Sequence, residues 1–514
     1  MNLHRKTAVM AVSLVTFCAL VSAQHPQADL AMVASLREEG LQRSRVMDTL
    51  GYMTDVLGAR LTLSEDMKRA QAWLKAEMER AGLANVAIEP FMDYGTAWDN
   101  EYVSLHMLAP DYQPMVGYPL AHTPGTAGKV TARAAIVDLQ AKADLARYRG
   151  TLKGLAVLVT PPVAIDVAAL ARGVQRRSDE ELRTLEEAVI APPRAAPRSV
   201  PNPDLLKPEE KLAFYKSEGV AAVLQCESGW VGAVRGFSRP GSKDDRWSRD
   251  GALASPPIVA VTPEHYNRMH RILTRGIPVT IELEVRNRIG ETVEQAANVV
   301  GEIPGSDLRH ELVMIGAHFD TWHASPNASD NTSGVAVVLE AARILKAVGA
   351  RPRRTIRLAF WGGEEQGLHG SREYVLKHFG NPKDKAAGVT PEYGRFSVYF
   401  NQDYGAGQYR GIALQGNEQA RRLFAAWMAP FHDFGMRTVA IQSLGSTDHV
   451  SFDSVGLPGF QFIQDRIPGT GGHTNLDFFD TIQADDLMKN AVVMASFAYH
   501  AAMIDERVPR KALK

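Results

Sequence analysis

The sequence has very little cysteine and no excess of charge of either sign. Only two cysteines occur among 514 residues, and the formal net charge is −1 at pH 7. Cys18 lies in an apolar N-terminal run, so a processed chain would keep Cys226 alone and could form no internal disulfide. The charge balance gives no reason to expect nucleic acid or an anionic membrane as a partner. Stability must therefore come from a large core, from bound metal, or from both.

Long hydrophobic runs are also scarce, apart from the one at the N-terminus. Arg5 and Lys6 precede an apolar run over residues 8–21, and small residues follow before Gln24. That order is typical of a secretory signal peptide over residues 1–23, and the run is short for a membrane span. We expect a secreted or periplasmic protein without stable membrane insertion after signal cleavage. An uncleaved anchor is the alternative.

The apolar pattern divides the rest of the chain into three regions. Residues 31–82 carry apolar residues at three- and four-residue steps, which predicts helices. Short β-like runs begin near residue 123, interrupted by a charged and proline-rich stretch at 166–216 that we interpret as a surface insertion. From residue 296, strands alternate with helices, which predicts an α/β sheet with helices on both faces. The expected organisation is a domain formed by 24–122 and 291–514, with an inserted module at 123–290.

Several polar residues come just after the strands of the last region. In an open α/β sheet, ligands bind at the carboxyl ends of the strands, so these side chains should converge on one edge. Two imidazoles and three carboxylates suit Zn²⁺, with Mn²⁺ or Co²⁺ as alternatives. The residues concerned are His318, Glu364, Glu365, Asp403 and His473.

So many ligands exceed what one tetrahedral zinc needs, unless a carboxylate bridges two metals. Two metals about 3.5–4 Å apart can share a hydroxide that attacks a carbonyl, while a nearby carboxylate moves the proton. The adjacent Glu364 and Glu365 fit this division, since one can ligate while the other acts as the base. Asp320, two residues after His318, could orient the imidazole or hold a metal ligand in place.

Four stretches of sequence resemble the M28 family of zinc peptidases. They are AHFD at 317–320, SDNTSG at 329–334, FWGGEEQGLHGS at 360–371 and STDH at 446–449. The resemblance implies a mixed, mostly parallel sheet flanked by helices, with an inserted β-rich protease-associated domain as in the carboxypeptidase Q-like branch. It further implies two Zn²⁺ ions per chain, a peptide substrate and a metallo-exopeptidase. An exposed inserted module of this kind could also serve a homodimer.

Residue by residue, the resemblance implies a role for each motif position. Asp330 would bridge the two metals, with His318 and Asp403 completing one site. Glu365 and His473 would complete the other, and Glu364 would be the general base. Independently of the resemblance, its position after His318 makes Asp320 the second predicted catalytic residue.

This sequence departs from the family pattern at two places. The spacing from Glu365 to Asp403 is long, so Asp384 and Glu392 are alternatives to Asp403. Gly472 stands before His473, where some members carry a tyrosine that stabilises the oxyanion, and Tyr404 is the candidate for that role here.

The sequence leaves three questions about function open. It does not decide among aminopeptidase, dipeptidase and carboxypeptidase activity. A catalytically inactive peptide-binding or receptor module of the same fold is one alternative, although no ligand is visibly missing. A single-zinc glutaminyl cyclase is another, although His318 and Asp403 argue against it.

Overall fold

The computed structural model describes residues 27–166, 168, 175–190, 202–241, 245–403, 406–465 and 472–512. The expected signal segment at 1–23 lies outside these residues, as do Tyr404 and parts of the predicted insertion at 166–216. Within the described ranges, no helix combines the length and the apolar content needed to cross a bilayer.

The first sheet has eight strands in the described part of the chain, in the order β1-β10-β12-β11-β13-β16-β14-β15. Four of its seven neighbouring pairs are parallel, including β11 with both β12 and β13. The expected mixed, mostly parallel sheet is therefore confirmed. Its strands are β1 (Ala84–Gly95), β10 (Glu294–Ile303), β11 (Leu308–His318), β12 (Arg354–Trp361), β13 (Phe396–Asn401), β14 (Tyr409–Ala413), β15 (Thr438–Ala440) and β16 (Gly459–Gln464).

The second sheet also has eight described strands, in the order β3-β2-β9-β5-β6-β7-β8-β4. We refer to residues 98–289, which carry this sheet, as the second domain, and to the other described residues, which carry the first sheet, as the first domain. The strands are β2 (Trp98–Ala109), β3 (Gln113–Pro114), β4 (Gly117–Pro119), β5 (Val130–Ile136), β6 (Ala156–Leu158), β7 (Ala222–Gln225), β8 (Ile258–Val261) and β9 (Thr280–Ile289).

The expected start of the inserted module at residue 123 differs from the pairing in the structure. β2 pairs antiparallel with β9 from Trp98↔Ile289 to Ala109↔Thr280, so residues 98–122 belong with the second sheet. The apolar pattern of β2 identifies a strand but not its partner, which lies far along the chain. The chain leaves the first sheet at Gly95 and returns at Glu294, and these two residues are themselves paired.

Helices cover both faces of the first sheet. α9 and α14 pack with α1 and α2 on one face, and α10 and α13 pack on the other. The described α-helices are α1 (Leu30–Gln42), α2 (Val46–Tyr52), α3 (Glu65–Arg80), α4 (Leu145–Tyr148), α5 (Asp179–Glu187), α6 (Pro208–Ser217), α7 (Arg249–Ala254), α8 (Pro263–Thr274), α9 (Ser333–Ala347), α10 (His369–His378), α11 (Pro391–Arg395), α12 (Arg421–Met428), α13 (His449–Ser454) and α14 (Ala484–Met503).

The long helices follow local sequence signals. Ser64 caps α3, because its hydroxyl accepts a hydrogen bond from the backbone N–H of Met67. Met67, Leu74 and Met78 then recur on the buried face, as the periodicity predicts. α14 is almost entirely buried because it packs between the sheet and the N-terminal helices.

The two sheets meet through a buried apolar cluster that contains four aromatic side chains. Tyr94 and Trp322 of the first domain pack with Trp98 and Trp247 of the second. The stretch before α5 also crosses to the first domain, where Arg176 forms ion pairs with two buried carboxylates, those of Asp465 and Asp486. The predicted surface insertion therefore contacts the first sheet instead of projecting only into solvent.

Candidate metal centre

The predicted ligands converge at the carboxyl edge of the parallel strands. His318 is the last residue of β11, and Glu364 and Glu365 follow β12. Asp403 follows β13, while His473 lies beyond β16. Asp330 sits in the segment Ala328–Thr332 that leads into α9, and its own backbone is extended, with φ −134° and ψ 85°. The long spacing from Glu365 to Asp403 includes α11 and its flanking loops. These lie at the opposite end of β13, so they do not displace Asp403 from the edge of the sheet.

The two carboxylate oxygens of Asp330 face two different histidines. Oδ1 lies 3.2 Å from Nε2 of His318, and Oδ2 lies 3.2 Å from Nε2 of His473. Burial acts to raise the pKa of Asp330, but hydrogen bonds from the two imidazoles lower it below the ordinary range. A carboxylate with one oxygen toward each of two nitrogen ligands has the arrangement of a bridging ligand.

Each histidine has a second carboxylate beside it. Asp403 Oδ1 lies 3.4 Å from Nε2 of His318, and Glu365 Oε2 lies 2.7 Å from Nε2 of His473. Ligand atoms of His318, Asp330 and Glu365 all lie within 4.8 Å of one another. The five predicted ligands thus form two groups, His318 with Asp403 and Glu365 with His473, with Asp330 between them.

The charges at this edge fit divalent cations. Burial disfavours a charged His318, but Asp403 and Glu364 raise its pKa well above the ordinary value. Burial likewise opposes charge on His473, but hydrogen bonds to Asp330 and Glu365 raise its pKa to about 10. Both pKa shifts favour positive charge on the imidazoles, which indicates that the surrounding carboxylates call for cations. The Oε1 atom of Glu365 is buried and has no hydrogen-bond partner among the described residues. Metal ions would supply that positive charge, and Oε1 of Glu365 would be free to coordinate one of them.

Glu364 is a buried carboxyl beside the ligand groups. Burial raises its pKa well above the ordinary value; His318 opposes this shift, while Asp403 and Asp448 add to it. Asp448 is fully buried, and burial raises its own pKa to about 8. The STDH motif drew attention to this segment but did not reveal that Asp448 acts on the charge of Glu364.

Asp320 holds the two glutamates through their backbone. Its carboxylate accepts hydrogen bonds from the N–H of Glu364 at 3.0 Å and of Glu365 at 3.2 Å. Its Oδ1 is 3.9 Å from Nδ1 of His318, which instead lies 2.9 Å from the backbone carbonyl of Asp320. Of the two roles predicted for the side chain, the geometry favours holding a metal ligand in place. The carbonyl orients the imidazole.

Two residues that sequence reasoning missed support the loops of the site. Asp477 accepts hydrogen bonds from the N–H and hydroxyl of Ser329, both at 2.8 Å, and from the N–H of Asp330 at 3.2 Å. Arg60 is fully buried and donates to the carbonyls of Gly58 and Phe319 and to the hydroxyl of Thr332. Neither belongs to a motif, and apart from Gly58 their partners lie far along the chain.

The alternatives to Asp403 lie elsewhere. Asp384 accepts hydrogen bonds from backbone N–H groups of its own exposed turn. Glu392 pairs with His378, with their nearest atoms 3.5 Å apart. Nε2 of His449 lies 3.0 Å from the carbonyl of Leu444, and Nε2 of His323 lies 2.7 Å from that of Pro119. Each of these nearby histidines therefore has a backbone carbonyl as a structural partner.

A cavity of about 540 Å³ opens beside Asp403. Its walls come from the end of β16, from the loop before the STDH motif, and from α5 and the residues before it. The lining is largely apolar, with Arg177 at one side. Its apolar members are Leu185, Ala413, Ala440, Leu444, Phe462 and Ile463.

Comparison with known proteins connects this geometry to a group of enzymes. Residues 298–498 match the family model described as Peptidase family M28. Carboxypeptidase Q from Bos taurus is 24% identical over 480 residues, covering 93% of this chain and 89% of that protein. Aminopeptidase YwaD from Bacillus subtilis is 28% identical over 261 residues, covering 49% of this chain and 52% of that protein.

Solved structures share the fold. A peptidase M28 precursor from Shewanella amazonensis superposes with a TM-score of 0.67 at 23% identity, covering 94% of this chain and 99% of that one. The zinc aminopeptidase BSAP from Bacillus subtilis superposes with a TM-score of 0.56 at 18% identity, covering 90% of this chain and 95% of that one. At these identities, the superpositions are evidence of a shared fold only.

Proposed function

The chain is a metallopeptidase of peptidase family M28, and on this premise we propose that it is an exported two-zinc exopeptidase with Glu364 as its general base. The observation that carries the proposal is the position of Asp330, with one oxygen toward His318 and the other toward His473. In this arrangement, Asp403 completes the first zinc site and Glu365 the second. Homodimerisation through the second domain, and the identity of that domain as a protease-associated domain, stay predictions.

The chemistry assigned to the chain is hydrolysis of a peptide bond next to a free terminus. Zinc at these positions would polarise the scissile carbonyl and lower the pKa of the attacking water. Glu364 accepts a proton from that water as its oxygen bonds to the carbonyl carbon. It then gives the proton to the amine as the C–N bond breaks. Asp320 keeps Glu364 in position through the backbone hydrogen bond already described.

The apolar walls of the cavity beside Asp403 support an apolar side chain as the part of the substrate that binds there. Its walls combine Leu185 with residues of β14, β15 and β16. We therefore propose that peptides with an apolar residue at the cleaved end are preferred. Which end is cut follows from comparing free, N-blocked and C-amidated versions of one peptide, because blocking the recognised terminus should abolish cleavage.

The experiment that tests the proposal measures metal content and hydrolysis of unblocked dipeptides and aminoacyl reporters by the purified protein. We expect two zinc ions per chain and loss of activity on chelation. The Glu364→Gln variant should keep both zinc ions and lose about 10²–10⁴-fold in kcat. Glu291→Gln, at an exposed loop, is the matched control. Full activity of Glu364→Gln, or a purified protein without metal, would refute the proposal, and one zinc per chain would favour the single-zinc alternative.

A further inference from the structure

The loop that carries His473 is attached to the second domain. We call residues 232–237, which follow β7 of the second sheet, the clamp segment. The N–H of Gly236 donates to the carbonyl of His473 at 2.9 Å, and Arg235 forms an antiparallel bridge with Thr474. A strand-like contact between the two domains thus begins at a predicted metal ligand.

Asn475 is the centre of this attachment. Its side-chain oxygen accepts the N–H of Val234 at 2.6 Å, and its side-chain nitrogen donates to the carbonyl of Gly232 at 3.2 Å. Its own N–H donates to the carbonyl of Val234 at 3.1 Å. Asn475 is 8% exposed, so truncating its side chain would leave the N–H of Val234 and the carbonyl of Gly232 without these hydrogen bonds in a buried contact.

The clamp segment also touches the imidazole itself. The ring of Phe237 meets that of His473 edge to face, with centroids 5.2 Å apart, and packs against Trp322 at 5.4 Å. The carbonyl of Phe237 accepts the N–H of Ala121, which ties this ring to the body of the second domain. The second domain therefore contributes to the orientation of the His473 ring.

His473 depends on such support because of its backbone. Its φ is +65°, a left-handed conformation that non-glycine residues rarely adopt unless their surroundings hold them there. The first domain contributes the hydroxyl of Ser325, which donates to the carbonyl of Thr474 at 2.7 Å. The clamp segment contributes four hydrogen bonds to His473 and Asn475.

We propose that the second domain is part of the support of the metal centre, with Asn475 as a positioning residue that holds His473 through the clamp segment. This inference rests on the proposed function, since it assigns a task to a predicted zinc ligand. Groups that orient a metal ligand commonly change metal affinity or activity by about 10–100-fold when they are removed. The zinc ion bound by His473 should therefore be held less tightly when the clamp is loosened, while the other zinc is unaffected.

The test compares zinc affinities by titration against a chelator in the full-length protein. Asn475→Ala should weaken one of the two zinc ions about 10–100-fold, and that ion should be the one lost in His473→Ala. The kcat should fall by a similar factor, whereas KM should stay within about threefold. Asn267→Ala is the matched control, because Asn267 is 6% exposed and makes the same paired bonds, at 3.0 and 2.7 Å, to Val163.

A second pair of variants covers the case in which Asn475→Ala does not fold. Phe237→Ala should lower the affinity for the same zinc, and Phe237→Leu, which keeps an apolar side chain there, should recover part of it. Unchanged zinc affinity in both Asn475→Ala and Phe237→Ala would overturn the inference, as would an equal loss in Asn267→Ala. Wild-type protein that binds no zinc would instead overturn the proposed function itself.

Discussion

Replacing Gly472 with alanine would test how closely the backbone before His473 packs against Asp330. The backbone at Gly472 is not left-handed, so alanine fits the local conformation and the added methyl group is the only change. That methyl carbon would lie 2.1 Å from Oδ2 of Asp330 and 2.5 Å from its Cβ. The same clash excludes a tyrosine at this position unless the chain moves.

The size of the effect follows from that distance. Ordinary van der Waals contact begins at about 3.4 Å, so Asp330 or the backbone before His473 must shift by roughly 1.3 Å. A displacement of about 1 Å near the reacting atoms can reduce the rate about 10²-fold. We expect kcat/KM to fall by about 100-fold, which is about 2.7 kcal/mol of transition-state stabilisation. Zinc content after dialysis should fall as well.

The assay compares steady-state hydrolysis and zinc content of Gly472→Ala with those of Gly394→Ala. Gly394 lies in α11, and a methyl group there would meet no heavy atom of the described residues within 4 Å. This control should keep its activity. If Gly472→Ala retained kcat/KM and zinc within about threefold of the wild type, Asp330 would not be held as the structure indicates, and the bridging arrangement would lose its support.

Two further predictions concern the residues that hold the loops. Arg60→Leu should lower the free energy of unfolding in urea by about 3 kcal/mol, because two carbonyls and a hydroxyl lose a buried charged donor. The same substitution at the exposed Arg69 should lower it by less than about 0.5 kcal/mol. Equal effects of the two substitutions would contradict this account. Burial raises the pKa of Asp477 to about 7. Its contribution to the stability of the metal-free protein is therefore fully present below its unfolded pKa of about 4 and is lost as pH rises to about 7. Relative to Asp477→Asn, the wild type should thus become less stable across that window in thermal unfolding, and a constant difference would refute the assignment.

The candidate site was largely predictable because its residues lie close to strand ends. Strands could be read from apolar runs, and the carboxyl edge of a parallel sheet brings such residues together whatever the exact strand order. Asp403 illustrates this, since its position after β13 outweighed an unusual spacing. The structure places its side chain beside His318, whereas Asp384 and Glu392 lie elsewhere.

The supporting residues could not be predicted in the same way. Asp477 reaches Ser329 across 148 positions of sequence, and Asn475 reaches Val234 across 241. No periodicity or motif encodes such hydrogen bonds, because they depend on which loops the completed fold brings together. The partner of β2 was missed for the same reason: a strand pattern records which face is buried and not which neighbour is paired.

The pairing of Gly95 with Glu294 determines what would happen to the first sheet if the second domain were removed. The points of departure and return lie side by side in the first sheet, so a short hairpin could replace everything between them without breaking β1 from β10. Removing the second domain at this point would therefore leave the strands of the first sheet continuous. It would also remove the clamp segment, so the loop of His473 would lose its hydrogen bonds to Gly232, Val234 and Gly236 although all five predicted ligands lie in the first domain.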